Sequence, residues 1–290
     1  MGFDSNGAKL LLHARQLDVN FRKVLTIGRQ MLFLKEKELT HMLGQAGLLD
    51  AYKKEPFPVN SHAEPFLSLL GAEITDSLDV SAYEGATLIH DLNRPLPEEL
   101  SSRYTLVIDG GSLEHVFNFP GAIKSCMDLI EMEGYYIGIT PANNFLGHGF
   151  YQFSPELYYR IFSPSNGFEV KKMYLYRDRK GASMYEVPDP LELKQRVILS
   201  NSEATFLFVI AQKRAQKEVF EIVPQQSDYE HVVWKKQPGG APLAQGRQPG
   251  SKWGKLKQRI TKLYRRHLRD MGDSDPQFVR KIHLDLRAAK

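Results

Sequence analysis

Short strand-like runs, most of which stop at a glycine or an aspartate, with helix-spaced segments between them, constrain this chain more than any other feature. Residues 24–27 are such a run and end at Gly28. Residues 73–79 and 86–91 close on Asp79 and Asp91. The strongest is "YTLVIDGG" (104–111), β-branched and apolar, ended by Asp109 and two glycines. Residues 135–140, "YYIGIT", make a fifth. Helical spacing runs through 31–43 (Met31, Leu34, Leu39, Leu43), 66–70, 118–130 (Ala122, Ile123, Cys126, Met127, Ile130) and 155–162. This alternation predicts parallel strands joined by helices. Residues 169–176 and 204–211 predict a wide antiparallel hairpin that closes the sheet.

The charge is unevenly spread. Between Arg247 and Lys290 there are 13 Lys and Arg against 4 Asp and Glu, which leaves 25 basic and 30 acidic residues elsewhere. Residues 238–250, "PGGAPLAQGRQPG", have a linker's composition. Beyond them Trp253, Leu256, Ile260, Leu263 and Leu268 fall on one side of a helix that is otherwise basic. The expected organisation is a helical extension over 1–20, an α/β domain over 21–237, a linker over 238–250 and a basic amphipathic helical tail over 251–290. The tail suits an anionic membrane surface or a partner protein's groove, and equally a seat on its own domain. It lacks the interleaved aromatics of a nucleic-acid strand binder, so nucleic acid is disfavoured. One cysteine, Cys126, excludes an internal disulfide framework and fits a reducing compartment. No apolar run reaches the ~20 residues needed to span a bilayer. A cytoplasmic protein is expected, with the tail able to hold it at the inner face of the membrane.

Ligands of an open parallel sheet bind beyond the carboxyl ends of its strands. There Gly28, without a Cβ, lets the backbone approach a ligand. The Asp79 carboxylate could accept both hydroxyls of a ribose. Asp91 with Leu92 suits an adenine amino group and ring, and Asp109 lies near where a reactive group would sit. Any one of these acids is as readily a turn or N-cap residue. Three at successive strand ends favour a nucleoside site.

Residues 21–214 resemble the class I S-adenosylmethionine-dependent methyltransferases. The likeness lies in the strand order, in "HDLNRPLP" (90–97), in "YTLVIDGGSLEHVFN" (104–118) and in "GYYIGITPANN" (134–144). "GHGFYQFSPELYYRIF" (147–162) resembles an uncharacterised subgroup of that family. The resemblance implies a three-layer, Rossmann-like α/β sandwich with a mostly parallel seven-stranded sheet and an antiparallel last strand. It implies S-adenosylmethionine as cofactor, with Gly28 near the methionine part, Asp79 on the ribose, and Asp91 and Leu92 at the adenine. The first loop departs from the family pattern. "VLTIGRQ" (24–30) has Thr26 where an acid is common and Arg29-Gln30 where further glycines are usual. Arg29 would either pair with the cofactor carboxylate, which its planar fork suits, or fill the pocket.

Methyl transfer needs an acceptor held in line, plus a base if the acceptor is a hydroxyl. His148, in the glycine-flanked "GHGFYQF" (147–153), is the first candidate base, followed by Tyr151 and His115. Relatives that share "EH" at 114–115 bind a divalent metal through an acid three residues earlier. That position is Gly111 here, so no metal is expected. The acceptor is expected to be a polar small molecule or glycan, methylated at a hydroxyl. The alternatives are a non-catalytic binding or scaffold protein of the same fold and, less well supported, a nicotinamide dehydrogenase. The dehydrogenase would need G-x-G-x-x-G after the first strand, and this chain has one glycine there.

Overall fold

The computed structural model describes residues 2–193, 201–227, 280–284 and 286. The chain begins with β1 (Gly2–Phe3), α1 (Ser5–Gln16), β2 (Lys23–Ile27), β3 (Met31–Leu32), α2 (Glu36–Gln45), α3 (Leu49–Lys54), α4 (Glu64–Leu69), β4 (Ile74–Asp79) and β5 (Leu88–Ile89). It continues through β6 (Tyr104–Asp109), α5 (Phe119–Leu129), β7 (Ile130–Asn143), α6 (Pro155–Ile161), β8 (Phe168–Arg177), β9 (Met184–Glu186), α7 (Pro190–Leu193), β10 (Thr205–Lys213) and β11 (Arg280–Ile282).

The main sheet runs β11-β9-β8-β10-β7-β6-β2-β4-β5. Strands β5, β4, β2, β6 and β7 pair in parallel, and β10 lies antiparallel between β7 and β8. The hairpin-like pairing of β8 with β10 is therefore as expected. The sheet has nine strands rather than seven, because β9 and β11 extend it antiparallel beyond β8. This also corrects the expected helical tail at its far end. There Lys281 pairs with Tyr185 and Ile282 with Met184, and Leu286 is buried. The expected linker and most of the tail, 238–279, lie outside the described residues.

Alternation along the inner strands builds two cores, one on each face of the sheet. On β10, Phe208 and Ile210 point to one cluster, while Leu207, Val209 and Ala211 point to the other. The first cluster takes α1, α2 and α4, the second α5 and α6. The result is a Rossmann-like three-layer α/β sandwich. Strand β6 is buried along its whole length, as a central parallel strand must be.

Helix α1, expected as an extension, belongs to the core. Asp4 caps it by accepting the Gly7 amide at 2.8 Å, and Leu10, Leu11 and Leu12 are all buried. Burial of three such side chains contributes on the order of 1.5–3 kcal/mol each, too much for a loose appendage. The helix expected over 31–43 is shorter at its start. Met31 and Leu32 pair with Gly2 and Phe3 in a separate two-stranded parallel sheet, and α2 begins at Glu36.

Candidate functional site

The parallel strands bring their carboxyl ends to one edge of the sheet. Ile27 pairs with both Leu78 and Asp109, and Asp79 pairs with Ile89. Gly28 and Asp79 therefore leave adjacent strands at the same level, and Asp91 follows two residues beyond β5.

Gly28 has φ 69°, in the left-handed region, and its amide donates to the Leu78 carbonyl at 2.7 Å. That conformation and close approach are what glycine permits. The Asp79 Oδ1 accepts the Ser81 amide at 3.1 Å, and its carboxylate stays half-buried at the rim. Asp91 Oδ1 accepts the amide and side-chain nitrogen of Asn93 at 2.9 and 2.8 Å. Those bonds hold its carboxyl below the ordinary range, so it is ionised at neutral pH. Leu92 is buried in the core cluster beneath this edge, together with Leu78.

The first loop uses its two unusual residues internally. Arg29 Nε donates to Glu64 Oε1 at 2.6 Å, and its Nη1 donates to the Glu84 carbonyl at 2.9 Å. In this structure the guanidinium is held through Nε and Nη1 by Glu64 and the Glu84 carbonyl. Gln30 is buried, and its Nε2 donates to the carbonyls of Ile27 and Gly28 at 2.7 and 3.3 Å. Its Oε1 is buried without a partner, and a Cβ on Gly110 would lie 2.5 Å from it. Gln30 braces the loop from beneath.

Asp109 needs a correction. It is fully buried, and its Oδ1 accepts the amides of Ser112 and Leu113 at 2.8 and 3.3 Å. The Tyr136 hydroxyl donates to its Oδ2 at 3.4 Å. Burial pushes its carboxyl up. It shapes the turn after β6 and does not face a cofactor.

That turn, a single 3-10 turn over Leu113–His115, positions the cluster that sequence reading only half found. Glu114 is 1% exposed, and its carbonyl accepts the amides of Phe150 and Tyr151 at 2.7 and 3.3 Å. The loop over 147–149 is therefore drawn onto Glu114, and His148 arrives beside its carboxylate. His148 Nε2 lies 3.4 Å and His115 Nε2 4.0 Å from the same Oε1 of Glu114. The two imidazoles stand nearly edge to face, 4.9 Å apart at 68°. Glu114 Oε2 is buried without a hydrogen-bond partner. Burial, and then the charge of Asp109, push the Glu114 carboxyl up, while burial pushes the His115 imidazole down.

The structure thus brings together His148 and His115, and adds Glu114 as the group that joins them. Sequence alone gave the "EH" pair but could not connect it to a histidine 33 positions on. The one local hint was the glycine pair around His148. Tyr151 is placed differently. Its hydroxyl donates to the Phe117 carbonyl at 2.7 Å and its ring stacks on Phe153 at 6.1 Å, so it braces the loop. Outside the histidine pair stand the exposed rings of Phe117 and Phe150, edge to face at 5.7 Å.

No protein-family model and no curated protein matches the sequence. Among solved structures, similar chains include a SAM-dependent methyltransferase from Thermotoga maritima, at 15% identity over 73% of this chain and 91% of that one, with a TM-score of 0.39. The YcgJ protein from Bacillus subtilis is similar at 10% identity over 72% and 99% of the two chains, with a TM-score of 0.38. The branched-chain polyamine synthase from Thermus thermophilus shares 16% identity over 74% of this chain and 58% of that one, with a TM-score of 0.36. At scores this low the likeness decides nothing about function, and the fold assignment stands on the strand order of the chain itself. No described helix is long and apolar enough to cross a membrane.

Proposed function

We propose that this chain is an S-adenosylmethionine-dependent methyltransferase whose acceptor is a polar small molecule or glycan, methylated at a hydroxyl. One observation carries the reading: Gly28, Asp79 and Asp91 line one sheet edge, and the Glu114–His115–His148 cluster follows directly on the neighbouring strand β6.

The residues fit the cofactor. A left-handed glycine presents backbone at the end of β2, and two partly open carboxylates stand at the last residue of β4 and just beyond β5. Asp79 would take the ribose hydroxyls, Asp91 the adenine amino group, and Gly28 would lie against the methionine part. The cofactor supplies an electrophilic methyl group on a sulfonium. What the chain must supply is an acceptor oxygen held in line and a route for its proton. His115 and His148 stand half-exposed at that end, over the buried Glu114 carboxylate. The Phe117–Phe150 pair beside them offers apolar ring faces next to polar groups, which suits a sugar-like acceptor. Docking of the basic tail on an anionic surface or a partner would set where the acceptor is met.

Gln30, packed under the first loop, favours a second reading as a non-catalytic binding module. Thermal unfolding with and without S-adenosylhomocysteine separates the two. Saturating ligand at about 100 times its Kd should stabilise the wild type by about 2.7 kcal/mol. Asp79→Ala should melt at the wild-type temperature without ligand and lose the ligand-induced rise. A folded wild type that shows no rise would leave the binding-module reading.

A further inference from the structure

Three nitrogen and oxygen donors converge beside β6 in an arrangement that hydrogen bonding within the protein does not explain. Glu114 Oε1 lies 3.4 Å from His148 Nε2 and 4.0 Å from His115 Nε2, and one donor atom from each residue falls within 4.8 Å of the others. Donors bound to one tetrahedral or octahedral ion at about 2.0–2.2 Å sit roughly 3–3.5 Å apart, so the trio needs only small adjustments. The 3.4 Å separation is long for a charge-assisted hydrogen bond, so neither histidine has closed on the carboxylate.

The carboxylate itself asks for a partner. Glu114 is 1% exposed, and its Oε2 has no hydrogen-bond partner. A buried carboxylate left this way is costly unless it takes a proton or meets a cation. Its surroundings are shaped to leave room on the donor side. Gly111 has φ 91°, and a Cβ there would lie 3.2 Å from Glu114 Oε1. Gly149 has φ 68°, and a Cβ there would lie 2.8 Å from the Glu114 carbonyl. The first glycine keeps space beside the carboxylate, and the second lets the loop deliver His148 to it. The imidazoles are half-exposed, so a fourth position faces the solvent side of the site.

We propose that Glu114, His115 and His148 form a binding site for one divalent first-row transition-metal ion with an open coordination position facing the cleft. Two imidazoles and one carboxylate suit such ions, whereas magnesium and calcium favour all-oxygen sets. This replaces the expectation of no metal, which rested on Gly111 as the only candidate for the third ligand. His148, far off in sequence, takes that place. If the methyltransferase reading holds, on which this last step rests, the open position would hold the acceptor oxygen and lower its pKa, so that its proton would pass to solvent water and the oxygen would take the methyl group from the sulfonium, which leaves as the thioether.

The test is metal binding by the full chain, freed of any affinity tag and stripped with a chelator. Titration with zinc and with cobalt is followed by calorimetry, by the cobalt visible spectrum and by elemental analysis after dialysis. The wild type should hold one ion per chain. His148→Ala and His115→Ala should bind it about a hundredfold more weakly or worse, since loss of even outer-sphere partners costs 10–100-fold. Both residues are half-exposed, so these variants should fold, and His41→Ala, exposed on α2, should bind as the wild type does. Wild-type protein without stoichiometric binding, or histidine variants that bind unchanged, would overturn the proposal. S-adenosylhomocysteine titrated into the same stripped samples keeps the two claims apart. Metal bound without nucleoside would sink the methyltransferase reading alone, and nucleoside bound without metal would sink the metal site alone.

Discussion

The amide of Phe150 donates to the carbonyl of Glu114 at 2.7 Å, so the loop that carries His148 is fastened to the residue that His148 faces. One backbone bond thereby sets the geometry of the cluster. Its neighbour Gly149 makes the bond reachable, with φ 68° and no Cβ to strike the Glu114 carbonyl. Gly149→Ala should cost about 1–3 kcal/mol of stability, the usual range for a side chain forced into this backbone region. Methyl transfer should fall further than stability does. Chemical denaturation alongside an activity assay checks this; unchanged activity would show that the loop is not what places His148.

The first loop makes a separate prediction. Gln30 is buried and donates to the Ile27 carbonyl at 2.7 Å, whereas Arg29 sits in a partly exposed ion pair with Glu64. Gln30→Ala should therefore cost about 1–3 kcal/mol, counting the lost bond and the space it leaves. Arg29→Ala should change stability by about 1 kcal/mol or less, because exposed ion pairs contribute little. Urea denaturation of the two variants gives the contrast, and equal losses would mean the roles assigned to these side chains are wrong.

A pH dependence follows from α1. His13 lies 3.1 Å from the Tyr174 hydroxyl, and burial pushes its imidazole below the ordinary value of 6.5. The unfolded chain then binds the proton more readily, so stability from neutral His13 is full above about pH 6.5 and declines as the pH falls below it. The melting temperature should drop more between pH 7.5 and 5.5 in the wild type than in His13→Gln. Parallel pH slopes would contradict this.

The succession of strands and helices along the chain and the strand-end acids were legible because they depend on local signals: strand-like runs, the residues that stop them, and helix spacing between. The terminal pairing of β8 with β10 was legible for the same reason. Pairings set by distant segments were not. Met31 reads as part of a helix until Gly2 is known to lie beside it, and nothing in "RKI" (280–282) tells that it meets Met184–Glu186. The site divides in the same way. Asp79 and Asp91 stand at the rim as their positions implied, while Asp109, which reads alike, turns inward because two backbone amides claim its carboxylate. The meeting of His148 with Glu114 depends on a loop folding back across the sheet edge, which no local pattern records.

The edge formed by Gly28, Asp79 and Asp91 is proposed to hold a nucleoside sulfonium. Calorimetric titration of the purified full chain with S-adenosylhomocysteine, and separately with S-adenosylmethionine, measures it directly. One site per chain of micromolar affinity is expected, lost in Asp79→Ala. Well-folded protein that binds neither ligand would contradict it, and would mean that Gln30 closes the first loop to the cofactor.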